Sequence, residues 1–186
     1  MRILITGTTG GIGGAVKRAA LAAGHAVIEV NRGDFDVFPS LGLDPIDGIV
    51  FTTGVCPVKP LTAMTDAELE ETFRVNCGLF VKLMRRIVGE KLNNPNGMKV
   101  VAISSVSATE GWAGGAAYCA SKGALSAVCR ALDAELKPKR ISVVALEPRY
   151  VKTRMFDTCA GRMGVDPALA QDPDEFAKEV LNECCR

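Results

Sequence analysis

Several classes of protein need residues that this chain has in short supply. Its single histidine, His25, follows Gly24 ahead of an apolar run and reads as a turn residue rather than a catalyst. Lysine and arginine number 22 against 21 aspartates and glutamates, and no basic block occurs. The electrostatic footprint of a nucleic-acid binder is therefore missing. No apolar run approaches the length of a membrane span, and the chain enters a strand pattern at once, without a basic segment and a long apolar stretch. No membrane association and a cytoplasmic protein are expected. The seven cysteines lack zinc-ligand spacing, so no metal is expected and reduced thiols are the reading. Adjacent Cys184 and Cys185 poorly suit the geometry of a mutual bridge. No glycine loop ends in Gly-Lys-Ser or Gly-Lys-Thr, which sets aside a nucleoside-triphosphatase loop.

What is present begins at residue 3. Ile3, Leu4 and Ile5 form a continuous apolar run, as a buried parallel strand requires, and glycines follow immediately before an apolar helical pattern near Ile12. Glycine at 7, 11 and 13 allows a tight turn, close approach to a pyrophosphate and packing of helix on strand, while free amides at the helix start attract phosphate. The length, 186 residues, suits one domain over 1–186.

Along the chain, a helix over 11–23 stops at Gly24, and Ala26–Val30 reads as a second strand, giving a right-handed parallel crossover. Residues 33–46 hold two glycines and two prolines with little periodicity, leaving room for a very short strand at 35–37 and no full third βα unit. Asp47–Gly54 is a strand with a glycine-ended turn. Thr65-Asp-Ala-Glu68 has the form of a capping box before a long helix over 66–92. Met98–Ser105 is a strand ending in hydroxyls, 115–136 a helix, Ile141–Leu146 the last strand, and Asp172 opens a short terminal helix. The expectation is an α/β fold, a doubly wound parallel sheet of Rossmann-like type in three αβα layers.

Tyr118 and Lys122 stand four residues apart on one helix face. A lysine ammonium there favours tyrosinate, drawing the tyrosine towards neutral pH as a usable acid or base. Ser105 ends a strand thirteen residues earlier, where its hydroxyl can meet the same substrate oxygen, with Ser104 and Ser107 as rivals. Asn76 lies inside the long helix, where asparagine propagates poorly, pointing to an inward-facing role.

These residues together resemble the short-chain dehydrogenase/reductases of single-domain, Rossmann-fold type. Thr6-Gly-Thr-Thr-Gly-Gly-Ile-Gly13 matches the family's Thr-Gly-x-x-x-Gly-x-Gly cofactor loop, Ser105 with Tyr118-x-x-x-Lys122 its catalytic core, and Asn76 its helix asparagine. The resemblance implies Tyr118 as proton donor, Ser105 as its polarising partner, Lys122 as the tyrosine-tuning and ribose-binding residue, and Asn76 as anchor of a proton-relay water. It also implies cofactor contacts from Gly7, Thr8, Thr9, Gly11, Ile12 and Gly13, from Asn31 and Arg32, from the adenine-side pair Asp36 and Val37, and from Thr52, Thr53 and Gly54. Pro148, Val151 and Thr153 would hold the nicotinamide end.

This sequence departs from the family pattern at four places. Thr52-Thr53-Gly54 replaces Asn-Asn-Ala-Gly, Arg149 replaces the glycine after Pro148, the third crossover is shortened, and no seventh strand follows. Arg149 is expected to copy glycine's backbone freedom only at a cost. At the end of the second strand, Asn31 stands where a ribose-binding acid would repel a 2′-phosphate, and Arg32 follows it, so NADP is expected over NAD. Trp112, Tyr150, Met155, Phe156 and Met163 are expected to border the pocket of a partly apolar carbonyl or alcohol substrate. The helices at 66–92 and 115–136, the second rich in small residues, are expected to pair two copies into a homodimer. The alternative is a non-catalytic, cofactor-binding scaffold or regulatory protein of the same fold.

Overall fold

A computed structural model describes residues 1–35 and 45–186. Apolar segments β1 (Arg2–Thr6), β2 (Ala26–Val30), β3 (Gly48–Phe51), β4 (Met98–Ile103) and β5 (Ile141–Leu146) form one parallel sheet in the order β2-β1-β3-β4-β5. Ile3 lies opposite Val27 on one side and Gly48 on the other, and Gly48 lies opposite Lys99.

Alternation along each strand divides the core into two layers. Ile3, Ile5, Val50, Val101 and Ile103 pack towards Ala15, Val16 and Ala20 of α1 (Gly11–Ala22) and Phe176, Ala177 and Val180 of a later terminal helix. Leu4, Ile49, Phe51, Val100 and Ala102 face the opposite way, towards the helices between β3 and β5. Those are α2 (Asp66–Phe73), α3 (Leu79–Gly89) and α4 (Ala116–Leu136); α5 (Arg154–Met163) and α6 (Pro173–Cys185) complete the chain. The result is the expected doubly wound αβα sandwich.

The strand bounds of β2 and β5 and the start of α2 agree with the sequence pattern. Thr65 and Glu68 form the capping box reciprocally, at 3.3 Å from the Glu68 amide to Thr65 Oγ1 and 3.1 Å from the Thr65 amide to Glu68 Oε2. Three expectations need correction. The helix over 66–92 is broken by a π-helical turn at Arg74–Gly78 and ends at Gly89, because Asn76 is drawn into tertiary hydrogen bonds there. The terminal helix is not short: it runs 13 residues and lies beside α1. It can approach because Gly48 has no side chain; a Cβ there would meet Cys184 Sγ at 2.6 Å. Helix α5 was not anticipated. Among the described residues no seventh strand follows β5, and the crossover from β2 opens with a short 3₁₀ turn, Arg32–Phe35. Asp36 and Val37 lie outside the described residues.

Between β1 and β3 the chain reverses its direction of travel across the sheet. Loops leaving the carboxyl ends of those strands diverge, and a crevice opens between them.

Candidate active site

A cavity of about 850 Å³ occupies that crevice, and residues following all five strands line it. Its floor on the β1 side is main chain. Gly7 has φ of +67°, a left-handed conformation suited to glycine, and begins the turn into α1. A Cβ on Gly13 would fall 2.3 Å from the Gly7 carbonyl oxygen and 2.6 Å from Thr52 Oγ1, so helix and turn touch only because both lack side chains. Gly10 precedes α1 without a side-chain cap, and no acidic residue lies in the first turn, leaving the amides open to an anion.

Gly7, Thr9, Gly11, Ile12, Gly13, Asn31, Arg32, Thr52, Thr53, Gly54, Pro148, Val151 and Thr153 reach the cavity as the sequence pattern implied. Thr8 does not. Its hydroxyl donates to Glu29 Oε2 at 2.6 Å, tying the glycine turn to β2. Asn31 is fixed by Asp34, whose Oδ2 accepts from the Asn31 amide at 2.6 Å. Among the described residues no carboxylate forms an ion pair with Arg32.

The Thr-Thr-Gly turn ties the end of β3 to β1 through hydroxyls. Thr52 Oγ1 donates to the Thr6 carbonyl at 2.6 Å, and Thr6 Oγ1 accepts from the amides of Thr52 and Thr53 at 3.0 and 3.3 Å. Thr53 Oγ1 is buried without a partner among the described residues. The glycine cradle, with open amides at the start of α1 and no room for a Cβ on Gly13, fits the phosphates of a dinucleotide ligand.

Tyr118, Lys122 and Ser105 converge across the cavity on the ends of α4 and β4. Ser105 Oγ accepts from the Ser107 amide at 3.1 Å, and the Ser105 hydroxyl lies near enough to Tyr118 to favour its ionised form. The rivals have other partners: Ser104 Oγ donates to the Lys122 carbonyl at 3.0 Å, and Ser107 Oγ accepts from Trp112 Nε1 at 3.1 Å. Lys122 Nζ donates to the Ile103 carbonyl at 2.7 Å and lies 5.8 Å from the Tyr118 ring centre. Burial lowers its pKa to about 8. Tyr118 moves opposite to expectation: burial above all, with the neighbouring cysteine sulfurs, raises its pKa, and the nearby Ser105 hydroxyl only partly offsets this. Desolvation prevails, so the Tyr118 hydroxyl stays protonated through neutral pH.

Asn76 stands behind the wall rather than in it. Its Oδ1 accepts from the Val55 amide at 2.8 Å, and its Nδ2 donates to the Val55 carbonyl and to Ser121 Oγ, each at 2.9 Å. The side chain's donors are both engaged, and the π turn is the local distortion that brings them there.

The far wall consists of Trp112, Tyr150, Met155, Phe156 and Met163 as expected, together with Val55, Cys56, Arg154, Thr158 and Cys159, which sequence reasoning passed over. Trp112 lies 6.3 Å from Tyr118 between ring centres. Phe156, Cys159 and Ala160 share the buried face of α5, a helical spacing that was the available signal for that helix. Arg149 is not strained: its φ is not positive, and its guanidinium spans both oxygens of Glu110 at 2.9 and 3.2 Å across the cavity rim.

Comparison with known proteins agrees with this geometry. A family model described as short chain dehydrogenase matches residues 40–162, about two thirds of the chain. L-xylulose reductase of Bos taurus is 26% identical over 178 residues, 83% of this chain and 73% of the relative. The 3-oxoacyl-(acyl-carrier-protein) reductase of Rickettsia felis is 27% identical over 180 residues, 83% of this chain and 74% of the relative. Among solved structures, a protein from Beutenbergia cavernae assigned as an NAD(P)-dependent gluconate 5-dehydrogenase, with NADP bound at low occupancy, superposes with TM-score 0.87 at 21% identity, covering 99% of this chain and 89% of that one. A 3-ketoacyl-(acyl-carrier-protein) reductase from Brucella melitensis complexed with NADH gives 0.83 at 20%, covering 98% and 90%.

Proposed function

The chain belongs to the short chain dehydrogenase family of oxidoreductases, and from that premise we propose that it interconverts a carbonyl and an alcohol with NADP(H), using Tyr118 as proton donor and acceptor. The observation that carries this reading is the meeting of Ser105, Tyr118 and Lys122 in the same cavity as the glycine turn. A bound nicotinamide cofactor supplies or accepts hydride. In the reducing direction the protonated Tyr118 hydroxyl gives its proton to the substrate oxygen, and the Ser105 hydroxyl steadies that oxygen by a hydrogen bond. Lys122 uses one N–H bond on the Ile103 carbonyl; its remaining donors serve the cofactor ribose and the developing tyrosinate. Asn76 acts as a positioning residue, holding Val55 and α4 in register.

The glycine turn and the α1 amides would hold the dinucleotide, and the exposed Arg32 guanidinium would favour a 2′-phosphate. The apolar far wall favours a small, partly apolar carbonyl or alcohol. Exposed Leu69, Phe73 and Val81 on α2 and α3, beside the small residues of α4, support a homodimer through those helices. No helix among the described residues is long and apolar enough to cross a membrane.

Two measurements test the reading. Tyr118→Phe should lower turnover of an aldehyde or ketone identified by nicotinamide oxidation about 10²–10⁴-fold with little change in NADPH affinity; undiminished turnover removes Tyr118 from its role. NADPH should bind the parent more tightly than NADH, and Arg32→Ala should narrow that gap. Tighter binding of NADH by the parent overturns the preference.

A further inference from the structure

Within the far wall, the sulfurs of Cys56 and Cys159 lie 3.4 Å apart although the residues are 103 positions apart in sequence. We propose that they form an oxidisable dithiol in the substrate half of the cavity, which a low-molecular-weight disulfide converts to an internal Cys56–Cys159 disulfide that fastens α5 to the segment after β3.

The arrangement is held from two sides. Cys56 stands two residues beyond Gly54 in the irregular stretch leaving β3, and Cys159 lies on the buried face of α5 at 4% exposure. A second contact joins the same two segments independently of sulfur: Arg162 Nη1 donates to the Val58 carbonyl at 2.5 Å. Both thiols border the cavity, so a small reagent entering it reaches them. No other two cysteines among the described residues make a sulfur–sulfur contact; Cys129 and Cys184 are buried in the core, and Cys185 is exposed beside His25.

The two sulfurs differ in character. Contact with the Cys56 sulfur, with the nearby Arg162 guanidinium adding to the effect, holds the Cys159 thiol below the ordinary value, whereas the same contact and burial hold Cys56 above it. Cys159 is therefore the attacking thiolate. Its sulfur attacks one sulfur of the small disulfide; that S–S bond breaks, one small thiolate departs, and a mixed disulfide remains on Cys159. Cys56 passes its proton to the departing thiolate, and its sulfur attacks Cys159 Sγ, expelling the second small thiolate, which takes up the proton released from Cys159. Two protein thiols are oxidised, and one small disulfide is reduced to two thiols. In a reducing compartment the pair rests as thiols, and closure is transient. The new bond would hold α5, with Met155, Phe156 and Met163, fixed against the cavity.

The test uses the reduced, full-length protein and oxidised glutathione. After incubation and alkylation of remaining thiols, proteolysis without reductant should yield a peptide pair linked through Cys56 and Cys159. In Cys56→Ser the second step is blocked, so glutathione should stay on Cys159; in Cys159→Ser no adduct should form at Cys56. Parent that keeps both thiols free for alkylation, or that retains glutathione at Cys159 without the link, overturns the proposal. So does a Cys56→Ser protein whose Cys159 stays unmodified. The parent's peptide map decides the matter even where a variant folds poorly, and it is independent of Tyr118 chemistry. Dithiothreitol should return both cysteines of the linked parent to the alkylatable state; a link that survives it is not the proposed disulfide and overturns the assignment.

Discussion

On the β1 and β3 side of the cavity the wall is glycine main chain and threonine hydroxyl, packed so closely that a single added carbon on Gly13 has no room. On the β4 and β5 side it is Trp112, Tyr150, Met155, Phe156 and Cys159, side chains held by α5 and by rim contacts. A ligand met by main-chain amides is recognised by a feature every member of a fold can share, since amides survive sequence change. A ligand met by side chains is recognised by features that each chain can vary. The first half fits the dinucleotide and the second the substrate, and damage to each should look different.

Gly13→Ala gives the largest expected effect. Its Cβ would meet the Gly7 carbonyl and Thr52 Oγ1, backbone and a hydrogen-bonded hydroxyl, neither of which can move without opening the turn. Loss of about 3 kcal/mol or more is expected in urea unfolding, together with loss of cofactor binding. Full affinity with unchanged stability would show that the main-chain half is not close-packed.

Asn76→Ala comes next and tests the junction of the two halves. The change strands the Val55 amide and carbonyl, while Ser121 Oγ loses one donor but keeps its own bond to the Tyr118 carbonyl, so a loss of about 1–3 kcal/mol in stability is expected. Turnover should fall because Val55 and the cavity floor shift. Asn76→Asp keeps the acceptor to the Val55 amide and should recover part of the stability; equal loss in both variants would remove the hydrogen-bond account.

The half built from main chain was the more legible in the sequence. Glycine spacing, the apolar runs of β1 and β2 and the Thr65–Glu68 capping box are local signals, and each is where local physics puts it. The π turn at Arg74–Gly78 was not legible, because Asn76 forms it by bonding to Val55 and Ser121, which lie 21 and 45 positions away. Helix α5 was hidden for a related reason. Its buried face is just Phe156, Cys159 and Ala160, too short a period to stand out before the cavity it covers is known. The direction of the Tyr118 shift depends on burial, which spacing along a helix does not reveal. Arg32 and Ser105 were found because each ends or follows a strand, and strand ends face the crevice.

Lys122 offers a third and smaller test, through pH. Its folded pKa is lowered from the ordinary 10.5 to about 8 by burial, so between those values the unfolded chain holds a proton that the folded chain has released. Stability attributable to this residue therefore rises as pH increases through that window and is lost as pH falls through about 8. The slope is bounded by one proton, about 1.4 kcal/mol per pH unit. Buried Cys129 and Cys184, with thiol values raised by burial, pull in the opposite sense above pH 9, so the comparison must be parent against Lys122→Met. The difference between their urea midpoints should change across pH 8 to 10.5; a constant difference would contradict the buried, easily deprotonated ammonium.

Arg149→Gly carries the smallest expected effect and sharpens the comparison at the rim. Restoring the glycine of the resembling family would relieve strain if Arg149 occupied a left-handed conformation, but its φ is not positive, so no strain is present to relieve. What the change removes is a bidentate contact with Glu110, between side chains 61% and 52% exposed, where solvent and salt screen the attraction. The melting midpoint should therefore fall slightly, by no more than about 2 °C, and the fall should shrink at high salt. Glu110→Gln in the Arg149→Gly background should add almost nothing, since the partner is already gone. Because the pair bridges the loops after β4 and β5 and leaves the glycine turn untouched, cofactor affinity should not move while the Michaelis constant of the carbonyl substrate rises modestly. A higher melting midpoint in Arg149→Gly would reveal backbone strain at that position, and a change in cofactor affinity would show that the rim belongs to both halves of the cavity.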